Sequence, residues 1–109
     1  MAKFIKGDVV VVPFPFSDLS GSKKRPALVL ADLPGDDILL CQITSQQSQD
    51  IFAVPLTSNG FSDGSLPSDS YIRPMRIFTA DKNIIVRKAG SIKIALLQTV
   101  VNKIIGLIQ

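Results

Sequence analysis

The sequence predicts a mainly β fold: five or six short strands forming a small barrel or curled sheet, with one C-terminal helix over its open side. Three observations carry this expectation. Short β-branched runs alternate with turn residues over residues 6–90. Prolines fall at the ends of these runs or interrupt them. Over residues 94–108 the apolar positions change to the three-and-four spacing of an amphipathic helix.

The first strand is "KGDVVVVPF" (6–14), a valine run ended by proline, and "FPFSDLSGSKK" (14–24) has the chemistry of a loop. "RPALVLAD" (25–32) is a second strand, "LPGDD" (33–37) a tight turn and "ILLCQITSQ" (38–46) a third strand, so this stretch reads as a hairpin. "DIFAVPL" (50–56) is a short fourth strand in which Pro55 points to an edge. "TSNGFSDGSLPSD" (57–69) carries Asn-Gly and Asp-Gly, holds almost no core material, and reads as a long mobile loop. "SYIRPMRIFTA" (70–80) returns to strand composition, with Pro74 marking a bulge or an edge. "DKNIIVRKAG" (81–90) supplies a turn and one more strand. In the helix, Ile94, Leu97, Val101, Ile104 and Ile108 form the apolar stripe, with Gln98, Asn102, Lys103 and Gly106 opposite.

A chain of 109 residues corresponds to a single domain over 1–109, long enough to bury a core without metal or disulfide. The net charge of +3 is compatible with an anionic partner. Histidine and glutamate are both absent, and all nine acids are aspartates. This rules out a histidine general base or a histidine metal site. Cys41 is the single cysteine, cannot form an internal disulfide, and reads as a buried structural thiol. That usage fits a reducing cytoplasm. No signal peptide is evident, and no run reaches the roughly 18 apolar residues of a membrane span. P-loop, dinucleotide, zinc and Ser-His-Asp patterns are likewise missing.

The residues with chemistry to offer are few. "GSKKRPALVL" (21–30) sets Lys23, Lys24 and Arg25 at the mouth of a strand. Pro26 stiffens the backbone at Arg25, whose planar fork of donors suits a phosphate. The plain alternative is a solvated loop. Thr44, Ser45 and Gln46 close the third strand in "QITSQQSQ" (42–49). Alternation displays Thr44 with Gln42 and turns Cys41 and Ile43 the other way. An ordinary polar strand end is the alternative there. Arg73 and Arg76 flank Pro74 and Met75, and a bulge at Pro74 would bring both arginines to one side. Asp8 reads as a strand-entry residue. Phe14 and Phe16 could stack on bases or anchor their own loop.

Several of these stretches agree with one family. "KGDVVVVPFPFSD", "GSKKRPALVL", "CQITSQQS", "FTADKNII" and the terminal amphipathic helix, in that order, resemble the MazF/PemK toxins of bacterial toxin–antitoxin pairs. The resemblance implies an SH3-like small barrel of curled antiparallel sheet, usually a homodimer. It implies a cytoplasmic, metal-independent, sequence-selective endoribonuclease that needs no cofactor. Such an enzyme cleaves single-stranded RNA to 2′,3′-cyclic phosphate and 5′-OH ends. It further implies a cognate antitoxin with an acidic tail, contact with operator DNA only through that antitoxin, and no membrane. Arg25 matches the family's catalytic arginine and Thr44 its active-site threonine. Lys23, Lys24, Ser45, Gln46, Arg73 and Phe16 are the substrate-binding candidates. Two departures stand out: Met75 occupies a place where some members carry aspartate, and the loop before Arg25 has no glutamate. A binding module of the same barrel, acting on a protein such as DNA gyrase or holding RNA uncut, is the alternative function.

Overall fold

A computed structural model describes residues 3–14, 23–46 and 49–109. The described residues form strands β1 (Asp8–Phe14), β2 (Lys23–Asp32), β3 (Asp37–Thr44), β4 (Val54–Leu56), β5 (Phe61–Gly64), β6 (Ser70–Asp81) and β7 (Arg87–Ile92), followed by helix α1 (Ile94–Ile108). Every pairing is antiparallel, in the order β4-β6-β3-β2-β1-β7-β5. The two edge strands, β4 and β5, are neighbours in sequence, joined through residues 57–60. A sheet whose edges are tied so closely has to curl until it nearly closes, which leaves little open edge.

The unbroken valine run of β1 has a physical cause. Strand alternation sends Val9 into one cluster with Leu28, Cys41, Ile43, Ile72 and Ile92, and Val10 and Val12 into another with Ala27, Val29, Ile38 and Leu40. Both faces of β1–β3 are buried, so no polar alternation survives there. The second cluster is covered by Phe4, Phe78, Ala80 and Ile85. The first is covered by α1 through Leu96, Leu97, Val100 and Ile104. Asp8 does open β1, and it is buried. Its carboxylate accepts from the Ile5 N–H at 3.0 Å and the Ser91 hydroxyl at 2.9 Å, with Lys88 Nζ at 3.4 Å. It therefore ties β1 to β7 at the point where Gly7, at a φ of 99°, turns the chain into the sheet.

Three expectations change. Residues 57–69 are no empty loop: they include a 3₁₀ turn at Ser58–Gly60 and all of β5, with Phe61 buried in the main core. Of the turn dipeptides there, Asn59-Gly60 lies in the 3₁₀ turn and Asp63-Gly64 serves strand pairing. Gly64 faces Gly90 across β5 and β7, and a side chain on Gly64, at a φ of 73°, would run into the Ala89 carbonyl. The helix stripe is also rotated. Ile94 and Ile108 are 74% and 78% exposed, whereas Val100 is fully buried. At about 100° per residue, Leu96 and Ile104 lie some 40° either side of Val100, while Ile94 lies about 120° away. Finally, residues 50–53 are a turn and not strand. The Asp50 carboxylate accepts from the Phe52 N–H at 2.9 Å and the Asp50 carbonyl from the Ala53 N–H at 3.2 Å.

Pro74 does mark a bulge. Ile43 pairs with Ile72 but Cys41 pairs with Ile77, so residues 73–76 of β6 face Gln42 alone. No helix among the described residues is long and apolar enough to cross a membrane.

Phe61 gives the most direct check on this architecture. Phe61→Ala is expected to lower stability by about 3–5 kcal/mol, as large core truncations do. Denaturant titration measures it; a change below about 1 kcal/mol would return residues 57–69 to the solvent.

Candidate functional site

A cluster of cations gathers where β2 begins and β3 ends. The β2–β3 ladder runs Val29↔Leu40, Leu28↔Cys41, Ala27↔Gln42. Extended two residues beyond its last pair, the same register would set Arg25 across from Thr44. Both residues line one cavity of about 320 Å³, together with Lys24, Pro26, Val11, Ile43 and Ser45. Arg87 of β7 and the segment Leu66, Pro67, Ser68 and Ser70 complete its walls.

Strand parity explains the position of the cavity. Arg25 pairs with Val12 of β1, whereas Lys24 and Pro26 pair with Pro13 and Val11, and Arg87 also pairs with Val11. Partners across an antiparallel ladder share a face. Arg25 and Thr44 therefore belong to one face, and Lys24, Pro26, Val11 and Arg87 to the other. A cavity touching both sets lies at the strand ends, where the two faces meet.

Its electrostatics are one-sided. Lys24, Arg25 and Arg87 contribute three positive charges, and among the described residues no aspartate lines the cavity. Thr44 is buried, and its Oγ1 accepts from the Gln46 N–H at 3.1 Å. A hydroxyl that accepts in this way keeps its own proton for donation. The Ser70 hydroxyl donates to the Ser68 carbonyl at 3.0 Å, which shapes the opposite wall. Such a site can hold an anion with two free oxygens against a guanidinium and a hydroxyl donor.

A larger cavity of about 520 Å³, lined by Lys3, Phe4, Asp32, Asp36 and Lys82, lies elsewhere. Its central cation is already engaged: Lys82 Nζ lies 2.5 Å from Asp32 and donates to the carbonyls of Leu33 and Gly35 at 3.1 and 2.9 Å. Charge compensation leaves that cavity little to attract an anion. Among the described residues, no three His, Cys, Asp or Glu side chains gather as a metal would require.

The predicted site residues divide accordingly. Lys24, Arg25, Thr44 and Ser45 come together. Lys23 is exposed on β2 outside the cavity, and Gln46 contributes only its backbone N–H to Thr44. Arg73 does not line the cavity; its Nε lies 3.2 Å from Asp50 Oδ2. Phe16 lies outside the described residues. Sequence reasoning missed Arg87 and the 66–70 wall. Only the long-range β1–β7 pairing brings Arg87 beside the strand that carries Arg25, and nothing local in "VRKAG" announces it. Cys41 is the buried thiol expected, and burial pushes its pKa up to about 12.

Comparisons with known proteins agree with the fold. The family described as PemK-like, MazF-like toxin of type II toxin-antitoxin system matches residues 5–108. No curated protein matches the chain in sequence. Among solved structures, MazF from Deinococcus radiodurans is 19% identical, with a TM-score of 0.78 over 99% of this chain and 98% of that one. A MazE-MazF complex from the same organism is 19% identical, with a TM-score of 0.76 over 99% of this chain and 97% of that one. An endoribonuclease in complex with its cognate antitoxin, from a mycobacterial species, is 15% identical, with a TM-score of 0.76 over 97% of this chain and 95% of that one. At these identities the structural likeness concerns the fold. The family match, which spans nearly the whole chain, goes further: this protein belongs to the PemK/MazF family of type II toxin–antitoxin toxins.

Proposed function

We propose that the chain is a sequence-selective endoribonuclease that cuts single-stranded RNA without a metal, with Arg25 and Thr44 as its catalytic residues. One observation carries the reading: a guanidinium and a buried threonine hydroxyl line one cavity that, among the described residues, holds cations and no carboxylate. The structures of an endoribonuclease and of MazE-MazF complexes on the same fold support it.

The ribose 2′-oxygen attacks the adjacent phosphorus. A P–O2′ bond forms, the P–O5′ bond breaks, and the products are a 2′,3′-cyclic phosphate and a 5′-OH. The 2′ proton passes to water and the leaving 5′-oxygen takes a proton from water, because the chain has no histidine and no described carboxylate lines the cavity. Arg25 binds the negative charge that gathers on the phosphate in the transition state. Thr44 donates a hydrogen bond to one of its oxygens. Each such donor is worth about a hundredfold or more in rate. Lys24 and Arg87 lie within the same cavity and hold flanking phosphates. Catalysis of this kind is mainly electrostatic and slow, since it forgoes the roughly 10²–10⁴ that a positioned acid–base group supplies.

The same cationic cavity suits the acidic tail of a cognate antitoxin, which would compete with RNA there and weaken with salt. The protein acts in the cytoplasm as a homodimer. An apolar cleft lined by Pro74, Met75, Ile77, Ile104, Leu107 and Ile108 provides a dimer surface, with Met75 57% and Ile108 78% exposed.

Two experiments test these statements. Incubated with long single-stranded RNA in excess EDTA, the protein is expected to generate new 5′-OH ends. Arg25→Ala and Thr44→Ala should each slow this about a hundredfold. RNA that is retarded but intact would make the protein a binder, and no interaction would point to a protein target. In sedimentation, the wild-type protein should run as a dimer, and Met75→Glu with Ile108→Glu should run as a monomer. A double variant that stays dimeric would move the interface elsewhere.

A further inference from the structure

The bulge in β6 gives Arg73 a different environment from the cations of the cavity. Within the bulge, Arg73 has left the β3–β6 ladder, and its carbonyl accepts instead from the Cys41 thiol at 2.9 Å. Burial keeps that thiol protonated and able to donate. Pro74, which has no N–H to offer a ladder, follows at once and is buried. The Arg73 backbone is thereby set from both sides.

Its side chain turns to Asp50. Nε lies 3.2 Å from Asp50 Oδ2, while Oδ1 of the same carboxylate accepts from the Phe52 N–H at 2.9 Å. Only 4% of the Asp50 side chain is exposed. The Phe52 N–H first, and then the Arg73 contact and the charges of Arg73 and Arg76, hold its carboxyl below the usual carboxylate range despite burial. Both arginines thus act on one carboxylate, as a bulge at Pro74 allows.

Asp50 closes the segment that opens at Thr44. At the near end, Thr44 pairs with Tyr71 of β6 and accepts from the Gln46 N–H. At the far end, Asp50 is fastened to Arg73, two residues along the same strand. A single strand, β6, therefore holds both Thr44, which lines the cavity, and Asp50, six residues further along the chain.

We infer that Arg73 is a positioning residue: it fixes the Thr44–Ser45 wall of the cavity by clamping Asp50, and it does not contact the RNA. The inference rests on the endoribonuclease reading. Loosening the clamp displaces the Thr44 corner, and a shift of about 1 Å in such a group can cost about a hundredfold in rate.

The test compares Asp50→Asn, Arg73→Ala, Arg73→Lys and the double variant Asp50→Asn/Arg73→Ala. All are assayed well below their measured Tm so that the folded fraction is constant. Single-turnover cleavage is read alongside binding of a 2′-deoxy oligonucleotide, which cannot be cut by this route, at several salt concentrations. Asp50→Asn and Arg73→Ala should each lose about tenfold to a hundredfold in rate. The double variant should be no slower than the worse single one, because both break one interaction. Arg73→Lys, which still reaches the carboxylate, should recover part of the loss. The salt slope of binding should be unchanged in every variant.

A wild-type rate for Asp50→Asn overturns the inference. So does a salt slope reduced by about 0.7 in Arg73→Ala, which is the signature of one lost phosphate contact on a single strand. If Arg73→Ala does not fold, Asp50→Asn and Arg73→Lys carry the comparison. Arg25→Ala and Thr44→Ala separate the two levels. If they are inactive while Asp50→Asn cleaves normally, only the positioning role falls. If they cleave normally, the enzymatic reading falls and takes this inference with it.

Discussion

The register between β2 and β3 is the constraint on which the site depends. Each step along one strand is matched by a step back along the other, so pairing Leu28 with Cys41 in the core also decides what meets at the rim. The core contact is held by burial on both sides of the sheet, and a slip of one residue would send Leu28 and Cys41 to the wrong face. Arg25 and Thr44 inherit their relation from that core. The interior of the sheet thus does the positioning that a flexible loop could not.

Burial on both faces also explains why the site lies at the strand ends. Along most of β1, β2 and β3 neither face is open to solvent, so a polar side chain has no place to project. Exposure returns toward the strand ends; at the start of β2, Lys23 and Lys24 are exposed and Arg25 and Pro26 half-buried. The stiff Arg25-Pro26 step lies at this transition, close enough to the core to be fixed and close enough to the rim to meet a polyanion.

Much of this was legible in the residues themselves. The strand runs, the bulge at Pro74, the helix and the Arg25–Thr44 constellation follow from local pattern and from resemblance, because each is written in a few neighbouring residues. What escaped was set by distant partners. Phe61 reads as a loop residue until β7 is beside it. The helix face depends on where Val100 lands, and an apolar stripe with isoleucines at both ends does not say which of them the sheet covers. Arg87 joins the cavity only through pairing with Val11. Arg73 carries the same charge as Arg25, and its engagement with Asp50 across the β6 bulge could not be read from spacing.

The disposition of the acids completes the picture. With nine aspartates and no glutamate, a net charge of +3 is a modest excess, too small by itself to mark a binding surface. Its effect comes from where the acids are placed. Asp8 is buried against Ser91 and Lys88, Asp32 holds Lys82, Asp50 holds Arg73, and Asp81 accepts from the Asn83 N–H to cap a 3₁₀ turn. Each of these carboxylates is engaged in maintaining the fold away from the cavity. Lys24, Arg25 and Arg87 are left facing a cavity with no aspartate among the described residues of its lining. Field lines concentrate in a cleft with low-dielectric walls, so three charges there act more strongly on a polyanion than the same charges spread over the surface. Among the described residues the lining holds no carboxylate: one placed there would offer a base for proton transfer but would neutralise part of that positive charge.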